Sequence, residues 1–383
     1  MAHVFALGSN GSGQLGIGHK EDVSVPKQVI FHQDAAPDSV SKIAAGGNHT
    51  LLLTGSGDLY WSGDADSGAC GKVTAQQKAA PPQFHKVALA DEHAAIPEPF
   101  KVGIVAATWE ASIVTKLDEQ GKSTSVYSFG VGLKGELGQG ELIVRVPGAA
   151  KITNFPPPHT EVVDLAACMG HVVAVLSNGD VYGWGNGRKG QLGAPEAIIH
   201  TPRKIEGVNF KVSRAVCGRD FTVLVGELSN GKVLFLGADK WGITSSIPAT
   251  AETWRDIGAG WGSVYALGED GKLVSWGRND HGQKAPPNLP PMSQIGIGSE
   301  HVVALDKAGD VLTWGWGEHG NCGPLVENGD VKGRWNVIAS AANLPPGTAI
   351  ASIGAGCATS WIVTSARSDA PDMDEAPACS LQA

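Results

Sequence analysis

The residues of this chain that could carry chemistry fall into four sets, and spacing decides what each can do. The stretch ALGSNGSGQLGIGH, residues 6–19, holds five glycines, with a G-x-x-x-x-G spacing of the kind that cradles phosphate. A phosphate loop also needs Lys and then Ser or Thr after the second glycine, between a strand and a helix. Here Gln14 and Leu15 follow Gly13, so the phosphate reading fails on residue type. His49, His171 and His301 are candidate bases, but they share one register that Ala111, Phe221, Ser263 and Thr359 fill elsewhere. A catalytic base has no reason to be copied three times. Each histidine is read instead as tying a loop through a ring hydrogen bond.

The six cysteines, Cys70, Cys168, Cys217, Cys322, Cys357 and Cys379, form no C-x-x-C pair, which excludes zinc-ribbon and thioredoxin-like chemistry. Free thiols in a reducing compartment follow. Cys168 and Cys217 are placed at the position held by Gly46, Gly260 and Gly298, while Cys70 and Cys322 replace Leu15, so they read as small buried residues. No Ser-His-Asp set, metal-ligand cluster or paired-carboxylate motif stands out. The expectation is a protein without catalytic residues, cofactor or metal of its own.

The fourth set is the eleven tryptophans. Trp61, Trp184, Trp276 and Trp314 share a register beside a repeated glycine and read as packing residues. Trp109, Trp241, Trp261 and Trp316 fall instead in loops where sibling segments carry small or polar residues, and an aromatic in a loop is a typical interface anchor. Charges stand in comparable loops: Glu110, Arg219, Asp220, Lys240, Arg278, Glu300 and His319. Together they suggest a protein-binding face, centred on adjacent blades five to seven of the repeat described next.

The elements that must position these residues are repeats. VFALGSNGSGQLG from Val4 recurs as LYWSGDADSGACG, VYSFGVGLKGELG, VYGWGNGRKGQLG, VLFLGADKWGITS, LVSWGRNDHGQKA and VLTWGWGEHGNCG. Each copy holds two glycines five residues apart: Gly8 and Gly13, Gly63 and Gly68, Gly130 and Gly135, Gly185 and Gly190, Gly237 and Gly242, Gly277 and Gly282, Gly315 and Gly320. Six of the copies follow a second signature, such as IAAGGNHTLLLTGSGDL from Ile43, whose SGD, NGD, NGK, DGK and AGD tips are two-residue hairpin turns. The last such hairpin, IGAGCATSWIVTS from Ile353, has no partner after it, and the first copy has none before it. The two complete one another. The chain is therefore expected to be all-β: a seven-bladed β-propeller of four-stranded antiparallel blades, closed by the N-terminal strand completing the last blade.

The propeller is expected over residues 1–366, with a long insertion at about 74–99 and a disordered acidic tail at 367–383. Composition agrees with a globular, strand-rich chain: 383 residues, 42% hydrophobic, 17% charged, with 52 glycines and 22 prolines. A formal net charge of −9 argues against general attachment to nucleic acid or anionic membrane. The opening MAHVFALGSN lacks a basic region and a sustained apolar run, so no export signal or membrane segment is expected. A cytoplasmic protein follows, with the nucleus also open to it.

A glycine-bearing strand end, four residues, and Gly-Gln-Leu-Gly, preceded by a small-Gly-x-x-His hairpin, resembles the repeat of the regulator of chromosome condensation family of seven-bladed propellers. Gln14-Leu15-Gly16 and Gln191-Leu192-Gly193 match best; the copies at Ile243, Gln283 and Asn321 depart. WD and kelch propellers fit worse. The start, VFALGSNGSGQLGIGHKEDVSVPKQV, is similar to the fungal alpha-tubulin suppressor (killer-toxin-insensitivity) branch of that family. That resemblance implies a non-catalytic scaffold forming a heterodimer with a small CSL-type zinc or iron electron carrier. It also implies support for diphthamide synthesis and for Elongator-dependent modification of transfer-RNA wobble uridines, any metal belonging to the partner. Resemblance to the founding member implies a second reading, guanine-nucleotide exchange on a small GTPase, although the expected tail is acidic and no basic arm is present. A photoreceptor-like reading needs Trp and Arg clusters repeated at a dimer face, which the sequence lacks.

Overall fold

The computed structural model describes residues 2–32, 36–90, 99–229, 231–251 and 253–366. Seven antiparallel sheets stand around one axis, each innermost strand touching the next until the last meets the first. Blades are numbered after the seven glycine copies. The innermost strands of blades two to seven are Val40–Ala45, Val102–Ala107, Val162–Cys168, Arg214–Cys217, Trp254–Ala259 and Met292–Ile297, and that of blade one is Thr348–Ala355. Among the described residues no helix is long and apolar enough to cross a membrane.

Blade one closes the ring. Its inner strands, Thr348–Ala355 and Thr359–Ala366, come from the end of the described chain, and its outer strands, His3–Gly8 and Val23–Gln28, from the beginning. His3 pairs with Thr364 and the ladder runs to Gly8 opposite Thr359. Closure covers strand edges that would otherwise offer unpaired backbone groups.

Five blades have four strands, whereas blades five and six stop at three. In blade six the outer position is reached by KAPPNLPP, residues 284–291, where four of eight residues are proline and cannot donate to a ladder. In blade five only a single bridge, Lys232 to Thr250, marks the missing strand.

The repeat signatures have separate physical causes. In every pair both glycines have positive φ, +100° to +119° at the first and +65° to +86° at the second. A side chain on the first would also collide with the carbonyl of the residue just before the blade's second strand, as at Gly63 against Asn48 and Gly315 against Glu300. Glycine is required twice over. The glutamine after the second repeat glycine folds back on its own loop: Gln14, Gln191 and Gln283 accept the backbone N–H of Ser12, Lys189 and His281, each at 2.9 Å. Leu15, Leu137 and Leu192 beside them are buried between blades. Second strands such as His49–Thr54 and His171–Leu176 are buried at every position, because both faces of a blade pack on neighbours. Hence they read as unbroken apolar runs rather than alternating ones.

The three histidines tie blades rather than single loops. His49 Nε2 meets Ser112 Oγ, His171 Nε2 meets Thr222 Oγ1 and His301 Nε2 meets Ser360 Oγ, each at 3.0 Å and each in the following blade. Burial pushes all three imidazoles down to about 4. Gly46 and Gly298 are small because a Cβ there would strike the ring three residues on. In blade five Gly218 does the same for Phe221; Cys217, expected at that position, stands one residue earlier and pairs with Thr222.

Trp184 Nε1 donates to the Glu136 carbonyl of blade three at 2.9 Å, and Trp314 Nε1 to the Gln283 carbonyl of blade six at 3.0 Å. With buried Trp61 and half-buried Trp276 they pack within and between blades. Within 74–99, a short helix Ala75–Ala79 capped by Thr74 leads into His85–Lys86, the outer strand of blade two, and Phe84 packs against Phe31 and Trp361. Residues 91–98 and the expected tail, 367–383, lie outside the described residues.

Candidate protein-binding face

Antiparallel order sorts the loops by face. First strands run toward one face and second strands away from it, so the loops joining strands one to two and three to four share that face. The hairpins joining strands two and three share the other, with the blade-to-blade links. All ten candidate residues lie at this face: Trp109, Glu110, Arg219, Lys240, Trp241, Trp261, Arg278, Glu300 and His319 in its loops, and Trp316 as the last residue of the strand Asp310–Trp316 that enters one.

Around the axis, one position repeats in every blade: Gly47, Trp109, Met169, Arg219, Trp261, Ser299 and Cys357, each two residues before a second strand. Backbone bonds link four neighbouring pairs of these positions around the ring. Gly47 N–H donates to the Trp109 carbonyl, Trp109 N–H to Met169, Arg219 N–H to Trp261, and Trp261 N–H to Ser299, at 2.8–3.0 Å. The collar forms the mouth of an axial cavity of about 450 Å³ walled by the seven innermost strands.

Trp109 belongs to blade three, outside the expected run of blades five to seven. Its indole lies over Gly47, which has no side chain to obstruct it, and reaches to 6.2 Å between ring centroids from Trp261 of blade six. The two tryptophans therefore meet across the channel mouth, although their loops are some 150 residues apart in sequence. Arg219 stands 5.8 Å from the Trp261 ring.

Beside this collar, Trp241 is held between two cations, Lys240 Nζ at 4.7 Å and the Arg278 guanidinium at 5.2 Å from its ring centroid. Arg278 is itself fixed: it grips Asp280 through Nε and Nη2 at 2.6 and 2.7 Å, and its Nη1 pairs with Glu300. Glu300 is 5% exposed, takes a further hydrogen bond from Gln283 Nε2 at 2.7 Å, and has its carboxyl pushed up by burial. It is a support under the face rather than a surface group. Further round, Trp316 meets His319 edge-on at 5.2 Å, and His319 Nδ1 lies 2.7 Å from Asp22 of blade one.

The surface-presenting members are Trp109 and Trp241, 36% and 37% exposed, with the exposed Glu110, Arg219 and Lys240. An apolar ridge on blade three, Leu133 with Leu142, Ile143 and Val144, escaped the sequence reading; Leu133 is 70% and Leu142 93% exposed. Its signal was present: an apolar triplet in a loop, between the Gly135 turn and the fourth strand. Among the described residues no group of three or more His, Cys, Asp or Glu could hold a metal ion. Burial raises the thiol pKa of Cys70, Cys217 and Cys322, and pushes Cys168 up to about 12.

A closed ring of seven glycine-turned antiparallel blades defines a β-propeller. The chain belongs to the RCC1-like domain family, whose model matches residues 3–362. It is 32% identical to an RCC1 repeat-containing protein of Schizosaccharomyces pombe over 74% of this chain and 78% of that one. It is 28% identical to a secretion-regulating guanine nucleotide exchange factor of Mus musculus over 76% of this chain, spanning 63% of that relative's length. In fold it resembles Prp20p from Saccharomyces cerevisiae, described with its binding to Gsp1p and histones, at TM-score 0.77 and 22% identity over 96% of this chain and 92% of that one.

Proposed function

We propose that this chain is a non-catalytic scaffold that docks a partner protein on the face bearing Trp109, Trp241 and Trp261. One observation carries the reading: among the described residues, eight of the twelve exposed large apolar side chains, Trp109, Leu133, Leu142, Ile143, Val144, Trp241, Leu325 and Val326, stand on that face. Apolar exposure gathered on one face of a folded domain marks an interaction site. The anchoring side chains are also held in place before binding, Trp241 by Arg278 and Trp109 by its neighbours' backbone, which lowers the ordering cost of association.

The resemblance of the first residues to alpha-tubulin suppressor propellers supports a finer reading, in which the partner is a small CSL-type zinc protein and the complex serves Elongator and diphthamide synthesis. The exchange-factor relative supports the alternative, a small GTPase whose nucleotide release the face accelerates. Affinity capture of the full chain from its native host separates them. Recovery of a small zinc protein at near-equal amount, lost when Trp109, Trp241 and Trp261 become alanine, supports the scaffold. Capture of a GTPase whose GDP release the chain accelerates would replace it.

A further inference from the structure

Next to the channel mouth the loops of blades three, four and five enclose a groove of about 280 Å³. Trp109, Leu133 and Met169 give it apolar walls, and Glu110, Glu136 and Asp220 line it with carboxylates. Glu136 stands where three sibling loops carry glutamine, and it keeps that role by accepting the Lys134 N–H at 2.6 Å. Burial, with Glu110 nearby, pushes its carboxyl up. Lys134 and Arg219 are the cations of the lining. Around the collar, Arg219 and Lys240 are exposed and form no ion pair among the described residues, yet each is held over an indole, Trp261 at 5.8 Å and Trp241 at 4.7 Å. On the opposite face, by contrast, Lys86 and Lys101 are paired with Asp58, and Lys204 with Asp180.

We propose that this groove receives a short segment of the partner protein in which a bulky apolar side chain is flanked by carboxylates. The proposal rests on the scaffold reading above. The apolar side chain occupies the groove beside Trp109 and Leu133, since the carboxylates already there disfavour a further anion. The flanking carboxylates meet Arg219 and Lys240, whose order over the indoles reduces what binding must immobilise. A polyanion such as single-stranded RNA would also value indoles and cations. The three groove carboxylates oppose a polyanion laid along it.

The test is selection of a random dodecapeptide display library on the full chain, followed by affinity measurements on the enriched peptides. Enriched sequences should join Leu, Phe or Trp to Asp or Glu. Their affinity should fall tenfold or more with Arg219→Ala/Lys240→Ala, and likewise with Trp109→Ala, while Asp58→Asn on the opposite face changes nothing. Enrichment of basic or charge-neutral peptides, no enrichment at all, or indifference to Arg219→Ala/Lys240→Ala overturns the proposal. So does tighter binding of fluorescein-labelled oligouridylate than of the best peptide. A native partner lost with the tryptophans but retained by Arg219→Ala/Lys240→Ala would refute this inference and leave the scaffold reading standing.

Discussion

The two faces of the ring are built from the same repeat and differ in what they expose. On the hairpin face the turns hold three residues rather than the two expected, each closed by a positive-φ glycine whose N–H donates back across the turn, Gly57 to Thr54, Gly179 to Leu176 and Gly271 to Gly268, and several charges close on one another. Asp58 lies 2.6 Å from Lys101 and 3.0 Å from Lys86, and Asp180 lies 2.8 Å from Lys204. On the loop face, the backbone collar is equally regular, but its side chains are Gly, Trp, Met, Arg, Trp, Ser and Cys in turn. Regular backbone with irregular side chains is what a recognition surface needs: geometry fixed by the repeat, chemistry free to differ from blade to blade.

Ring closure underlies both faces, so breaking it should have the largest effect. Deleting residues 2–8 removes a strand paired along its whole length with Thr359–Thr364. The expected outcome is loss of the cooperative thermal transition by circular dichroism, and a deletion that stays fully folded would show that closure is dispensable.

Acid should act next, and from the loop side, where His49, His171 and His301 begin their strands. Their folded pKa is about 4, against an ordinary 6.5 in the unfolded chain. Between these values the unfolded state binds protons that the folded state refuses. Stability is therefore full above about pH 6.5 and falls as pH drops toward 4, by about 1.4 kcal/mol per pH unit for each histidine. Urea midpoints measured from pH 7 to 4 give the slope, which His171→Gln should reduce by about a third.

A smaller effect distinguishes the glycines. Gly185→Ala places a side chain at φ +101° against the Gly170 carbonyl and should cost about 2 kcal/mol or more. Gly11→Ala, with an ordinary φ and nothing within 4 Å, should cost little. Denaturant unfolding of the two variants sharpens the separation between repeat glycines and incidental ones. At the low end, Asp58→Asn removes exposed ion pairs and should change stability by less than about 1 kcal/mol in the same assay.

Much of this was legible in the sequence because the repeat glycines, hairpin tips and apolar second strands have local causes. Gly63 or Gly315 could hardly be another residue, and the unmatched hairpin at Ile353 announced closure. The missing outer strand of blade six was also written in Pro286, Pro287, Pro290 and Pro291, yet the repeat pattern outweighed them. The site was legible only in pieces. Trp109, Arg219 and Trp261 were visible as unusual loop residues, but their shared register two residues before a second strand went unread. Their meeting at the axis depends on closure of the whole ring. Glu300 looked like a surface charge; its burial under Arg278 and Gln283 follows from packing between blades six and seven, which no local pattern records.

The central claim is that recognition belongs to the loop face. The direct measurement is quantitative capture of native partners by the wild-type chain, by Trp109→Ala/Trp241→Ala/Trp261→Ala, and by Asp58→Asn/Asp180→Asn on the hairpin face, all shown to be folded by thermal melting. Each central anchor is expected to contribute about 2 kcal/mol or more to binding. If recognition belongs to the loop face, the tryptophan variant loses its partner while the hairpin-face variant keeps it. Retention by the first and loss by the second would place recognition on the other side of the ring.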